Sequence, residues 1–196
     1  MPRNKSQSIK KSKLIKSVQD ILQALGYNIN NQHLRKTPAR VAKIFLEELD
    51  TDLNRNPKVL KKLFSITNTE FTSMIVLRHH KTLTRCPHHL ERVNLDISIG
   101  YIPEGKLLGL SKLARIADYY SKGLLLQEEV AEGIATGIQD ALNPLGVGVY
   151  VQAEHGCMKC RGVKTSGDVV VAEMRGIFEE NDSVKAEFLN YILKGG

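Results

Sequence analysis

Two short runs bring thiols and imidazoles together in this sequence: Cys86-Pro87-His88-His89 and His155-Gly156-Cys157. Zinc binds thiolate and imidazole, and a catalytic zinc site takes three protein ligands and leaves the fourth position to water. Cys86, one of the paired histidines and Cys157 supply three. Water held at such a site has its pKa lowered to about 7, so hydroxide is available at neutral pH. Cys86 by itself reads as a small buried residue. Two Cys-His clusters flanking strand-like segments favour a metal, and their spacing is not that of a zinc finger. His79-His80 carries no such partner and reads as a surface pair at a strand end.

The elements that must position these runs are legible from periodicity. From Arg92 to Tyr101, Val93, Leu95, Ile97, Ile99 and Tyr101 alternate with Arg92, Asn94, Asp96, Ser98 and Gly100, which predicts a half-buried strand. Met74 to Leu77, Val147 to Ala153 and Asp168 to Met174 predict three more. Leu113, Ile116, Ala117 and Tyr120 outline one helix, and Val130, Ile134, Ile138 and Leu142 a second that Asn143-Pro144 stops. Upstream, Leu14, Val18, Ile21, Leu22 and Leu25 lie at helical spacing before Gly26. Thr37-Pro38 opens a helix with Val41, Phe45, Leu46 and Leu49 as its stripe, since proline fits a first turn. Asn56-Pro57 starts a short helix carrying Leu60, Leu63 and Phe64, and Val184, Phe188, Leu189 and Ile192 outline the last one. Helices, two strands, two helices, two strands and a helix do not make a doubly wound sheet; the order predicts an α+β domain with an antiparallel sheet.

Composition narrows the function classes. Of 28 basic residues, Arg3, Lys5, Lys10, Lys11, Lys13 and Lys16 precede the first acid, Asp20, and the other 22 nearly balance 21 acidic residues. The net charge of +7 therefore belongs to residues 1–16, expected to be a disordered arm ahead of a single domain over 17–196. No aromatic residue is interleaved there to stack on bases, which speaks against nucleic acid. No apolar run reaches the length of a membrane span, and Met1 to Lys16 lacks the apolar core of a signal peptide, so a soluble cytoplasmic protein is expected. Gly146-Val147-Gly148 lies between helix and strand in the wrong order for a dinucleotide loop, and no Walker-type lysine follows a glycine loop.

Further motifs join the metal-type runs in one order along the chain. They are Thr37-Pro38-Ala39-Arg40-Val41-Ala42, Cys86-Pro87-His88-His89-Leu90, Gly100-Tyr101-Ile102-Pro103, the run from Leu108 to Arg115, Gln127-Glu128, and His155-Gly156-Cys157-Met158 leading to Arg161-Gly162-Val163. Together they resemble the motifs of type I GTP cyclohydrolases, over nearly everything after the basic arm. The resemblance implies a tunnelling fold: N-terminal helices, then a four-stranded antiparallel sheet with a helix pair inserted between strand pairs. It further implies that subunit sheets join into a barrel at the centre of a homodecameric ring.

It also implies roles. Cys86, His89 and Cys157 are similar to the zinc ligands, His155 to the proton donor at guanine N7, His88 to the histidine assisting ring opening, and Ser111 to the residue assisting closure. Gln127 and Glu128 fall among the substrate-binding residues; a carboxylate at Glu128 can accept from guanine N1–H and the amino group, which rejects adenine. Lys112, Arg115 and Arg161 can hold the triphosphate, with Arg40 and Lys43 as possible extensions. The implied reaction is hydrolysis of GTP, loss of C8 as formate and rearrangement to 7,8-dihydroneopterin triphosphate, the opening step of pterin and folate-type synthesis.

Two positions depart from the family pattern. Pro87 stands where many members carry glutamate, and proline offers neither a carboxylate nor an N–H. Gly156 is smaller than the residue often found there. Pro87 motivates a second reading, a tunnelling-fold zinc protein with reduced or lost turnover that acts as a binding or regulatory subunit. Retention of His88, His155 and Glu128 argues for the enzyme. A relative acting on deazaguanine nitriles is a third reading, but it needs a cysteine nucleophile and a nicotinamide cofactor rather than zinc. Cys160 has no place in the implied site: in an extended segment it and Cys157 would face opposite ways, and only a turn would bring them together.

Overall fold

The computed structural model describes residues 3–49 and 66–193. The chain divides into two compact units, Met1–Asp50 and Thr51–Gly196, where the sequence predicts one domain. Among the described residues no helix is long and apolar enough to cross a membrane. The short helix expected at Asn56-Pro57 lies outside the described residues.

The first unit holds α1 (Arg3–Ala24) and α2 (Thr37–Leu49). Tyr27 N–H reaches Leu22 C=O at 3.0 Å and Gly26 N–H reaches Gln23 C=O at 2.9 Å, with Gly26 at φ 81°, so α1 ends in a Schellman motif. Where a disordered arm is expected, the helix already runs from Arg3. Extending an existing helix fixes one residue per hydrogen bond gained, far cheaper than nucleation, and no breaker stands between Arg3 and Gly26. Ser8, Ile9 and Lys11 to Lys13 remain exposed on it. Only Val18 of the predicted α1 stripe is buried, while Ile21 and Leu25 face outward; on α2, Pro38 and Ala42 are buried.

The second unit is built on four antiparallel strands in the order β2 (Ile75–Arg85), β3 (Arg92–Ile102), β5 (Gly146–His155) and β6 (Val169–Gly176). Between the strand pairs come α3 (Leu110–Ser121) and α4 (Gln127–Leu142), as expected. Leu95, Ile97, Ile99, Tyr101, Val147, Val149 and Val151 face these helices and pack with Leu113, Ile116, Val130, Ile134 and Ile138. Each such side chain contributes roughly 1.5–3 kcal/mol by leaving water. Asn143, in the left-handed region at φ 47°, ends α4 just ahead of Pro144.

The opposite face of the same sheet is closed at one end by α6 (Ile177–Glu180) and α7 (Asp182–Leu193). Phe178 and Phe188 meet edge to face with centroids 5.5 Å apart and pack with Ile192, Met74, Tyr150 and Met174. Gly100 and Gly148 are register partners on β3 and β5. A Cβ on either would come within 2.7 Å of a phenylalanine ring, so the rings lie directly on the strands. This corrects the half-buried reading of β3, whose last turn of alternation is buried on both faces. Glycine hides that second face from a hydrophobic count.

Short elements escape periodicity. β1 (Ile66–Asn68) pairs antiparallel with β4 (Lys106–Leu108), and α5 (Gly156–Lys159) follows β5. Three or four residues are too few to establish a period. β2 is longer than expected and places His79 and His80 in mid-strand at a bulge, with His79 at φ 53°. His79 Nδ1 lies 3.1 Å from Asp96, and His80 Nε2 lies 2.9 Å from Asp118 on α3, so both have carboxylate partners rather than strand-end positions.

Candidate metal centre

The register of β3 and β5 builds the site. Val93 pairs with His155, which sets the end of β5 beside the start of β3 and the turn that leads into it. That turn is held by Cys86 N–H to Glu91 C=O and Leu90 N–H to Cys86 C=O, both 2.9 Å. Pro87 stands directly after Cys86 in it, and its fixed φ predisposes the chain to turn there. The turn folds both histidines back onto the first thiol: Cys86 Sγ lies 3.5 Å from His89 Nδ1 and 3.7 Å from His88 Nδ1. From the other side, α5 begins immediately after His155 and lifts Cys157 toward them. An added Cβ at Gly156 would meet Arg92 C=O at 2.9 Å, so in this chain the two segments approach more closely than a larger residue would allow without a backbone shift.

Cys86, His89 and Cys157 bring their ligand atoms within 4.8 Å of one another, the one such group among the described residues. Zinc bonds of about 2.0–2.3 Å place tetrahedral ligands about 3.3–3.8 Å apart, and the Cys86 to His89 separation fits. The donor set fits as well. Burial, then the charge of Cys86 and a hydrogen bond to it, push the Cys157 thiol above its ordinary range; Arg161 pulls the other way. Two adjacent thiols thus resist ionising together, and a divalent cation between them would reverse that preference. His89 belongs to this group with both thiols, and His88 does not.

His155 sits at the same strand end, half-buried. Burial pushes its pKa below the ordinary histidine range, with the Glu128 carboxylate opposing. Its Nε2 lies 3.1 Å from Gln127 Oε1. Gln127, expected among the substrate-binding residues, is turned inward at 3% exposure, and its amide N donates to Val151 C=O at 2.8 Å and Val169 C=O at 3.0 Å. Nothing in the Gln127-Glu128 pair as sequence distinguishes the inward residue from the outward one; the signal is the start of α4, where Glu128 is exposed.

Ser111, Lys112 and Arg115 occupy the first turns of α3, on a different element from the Cys-His cluster, with Ser111 and Arg115 exposed. Arg161 is exposed beyond α5. Arg40 and Lys43 belong to α2 in the first unit, where Lys43 pairs with Glu47 at 3.6 Å. Cys160 N–H bonds to Gly156 C=O at 2.9 Å, so the Cys157 to Cys160 segment is a helical turn rather than extended. Residues three apart on such a turn share a side. Cys160 nevertheless lies outside the ligand group and is exposed.

The comparisons with known proteins agree with this geometry. The family model described as GTP cyclohydrolase I matches residues 14–193. GTP cyclohydrolase 1 of Thermoanaerobacter pseudethanolicus is 39% identical over 186 residues, 94% of this chain and 97% of that protein. The protein of the same name from Dehalococcoides mccartyi is 38% identical over 184 residues, covering 92% and 95%. Among solved structures, the archaeosine synthase QueF-Like in the apo form aligns at TM-score 0.44 and 24% identity, over 53% of this chain and 94% of that one, a likeness too loose to bear on function. With the family match spanning both units and the ligand group assembled at the strand end, this chain belongs to the GTP cyclohydrolase I family.

Proposed function

We propose that the chain is a zinc-dependent GTP cyclohydrolase that converts GTP to 7,8-dihydroneopterin triphosphate and formate. The observation that carries this reading is the convergence of Cys86, His89 and Cys157 on one point at the strand end that also holds His155. Zinc bound there supplies a Lewis acid and water of lowered pKa. His155 can exchange a proton with the purine, and His88, beside Cys86, can serve a second proton transfer. Glu128, exposed at the start of α4, can accept from the guanine N1–H and amino edge. Ser111 can assist closure of the new ring, and Lys112, Arg115 and Arg161 can hold the triphosphate.

The same reading makes the protein a cytoplasmic homodecamer with its sheets joined into a barrel. β2 and β6 are the outer strands of the four-stranded sheet, available for such joining. Three thiols outside any disulfide suit a reducing compartment. Incubating the purified protein with GTP tests the function. Stoichiometric formate and the fluorescence of the oxidised pterin are expected. Tight GTP binding without formate would instead favour a subunit that has lost turnover, the reading Pro87 motivates.

A further inference from the structure

The side-chain amide of Gln127 is one group whose orientation the structure determines. Oxygen and nitrogen of such an amide are ordinarily interchangeable by a flip. Here the nitrogen faces two carbonyl oxygens, Val151 C=O on β5 at 2.8 Å and Val169 C=O on β6 at 3.0 Å. A flip would set oxygen against both carbonyls and lose two hydrogen bonds in a buried place. Both amide protons are therefore committed, and Oε1 can only accept. The atom facing it is His155 Nε2 at 3.1 Å, which must then be the donor.

We propose that Gln127 is a positioning residue that holds His155 in its Nε2–H tautomer and leaves Nδ1 as the nitrogen that accepts a proton from solvent and passes it to substrate. This deepens the cyclohydrolase reading and rests on it for the word substrate. The lock ties three elements together: Gln127 opens α4, Val151 lies on the strand that ends in His155, and Val169 starts β6. The imidazole is thus oriented by the sheet itself rather than by the mobile end of an exposed side chain. A histidine in the wrong tautomer presents a proton where an acceptor is needed, and the reverse.

The test uses zinc-loaded protein labelled with 15N in histidine, with His155 assigned from its loss in His155→Asn. Long-range 1H–15N spectra of the wild type should show Nε2 protonated and Nδ1 unprotonated at neutral pH. Gln127→Met keeps the length and removes every hydrogen bond. It should give mixed tautomers at His155, with zinc content unchanged, KM within about twofold and kcat lower by at least about tenfold. A wild-type His155 carrying its proton on Nδ1 would overturn the proposal. So would a Gln127→Met protein with unchanged tautomer and kcat, and if that variant does not fold, the wild-type spectrum still decides. The tautomer is read without turnover, so an Nε2–H His155 in a protein that releases no formate from GTP would remove the reaction and leave the positioning intact.

Discussion

β3 and β5 run side by side for ten register pairs, from Ile102 and Gly146 to Val93 and His155, and the two ends of this ladder have opposite characters. At the Gly100 and Gly148 end, both faces are buried, one under α3 and α4 and the other under Phe178 and Phe188. At the Val93 and His155 end, the ladder gives way to a tight turn and a single helical turn that carry Cys86, His89 and Cys157. One end therefore takes its residues from packing and the other from chemistry. A substitution at the packed end should lower stability and leave the metal site intact in the molecules that fold. One at the open end should abolish chemistry at little structural cost.

The largest effect is expected from Cys86→Ala, His89→Ala and Cys157→Ala, which should each lose bound zinc and all measurable activity while circular dichroism stays native. Full zinc in Cys157→Ala would contradict the ligand assignment. At the packed end, Phe188→Ala should cost about 3–5 kcal/mol in chemical denaturation. Gly148→Val, which drives a Cβ into the Phe178 ring, should cost about 1–3 kcal/mol. Both should retain one zinc per folded chain; loss of zinc in either would mean that the two ends are coupled. Glu128→Ala should weaken GTP recognition by about 1–3 kcal/mol, read as a rise in KM, with zinc and stability unchanged. The smallest effect belongs to Cys160→Ser, which should stay within about 0.5 kcal/mol of the wild type and keep its zinc.

The contrast between the two ends also governs what the sequence reveals. Alternation from Arg92 to Tyr101 and from Val147 to Ala153 locates the strands because one face there is uniformly apolar. The second buried face is invisible, because Gly100 and Gly148 contribute no side chain and the rings covering them come from Phe178 and Phe188, far along the chain. At the site, the clustering of cysteine and histidine is legible because thiol and imidazole side by side favour a metal, while His89 rather than His88 comes only from the family resemblance. The role of Gln127 is not legible: its partners are two backbone carbonyls and a histidine 28 residues away, and carbonyls have no signature in sequence. The helical turn at Cys157 to Cys160 is similarly hidden, since a four-residue helix is too short to show a period. The basic segment before Asp20 misleads in the other direction, since charge composition reports solvation and not backbone conformation.

The proposed reaction opens GTP at a zinc held by Cys86, His89 and Cys157. The most direct measurement strips the purified protein with a chelator, then titrates zinc back while recording formate released from GTP. Activity should be absent in the stripped protein and rise linearly to a plateau at one zinc per chain, with no recovery in Cys157→Ala at any zinc concentration. Formate release by the stripped protein at the full rate, or none from the wild type at one zinc per chain, would contradict that reaction.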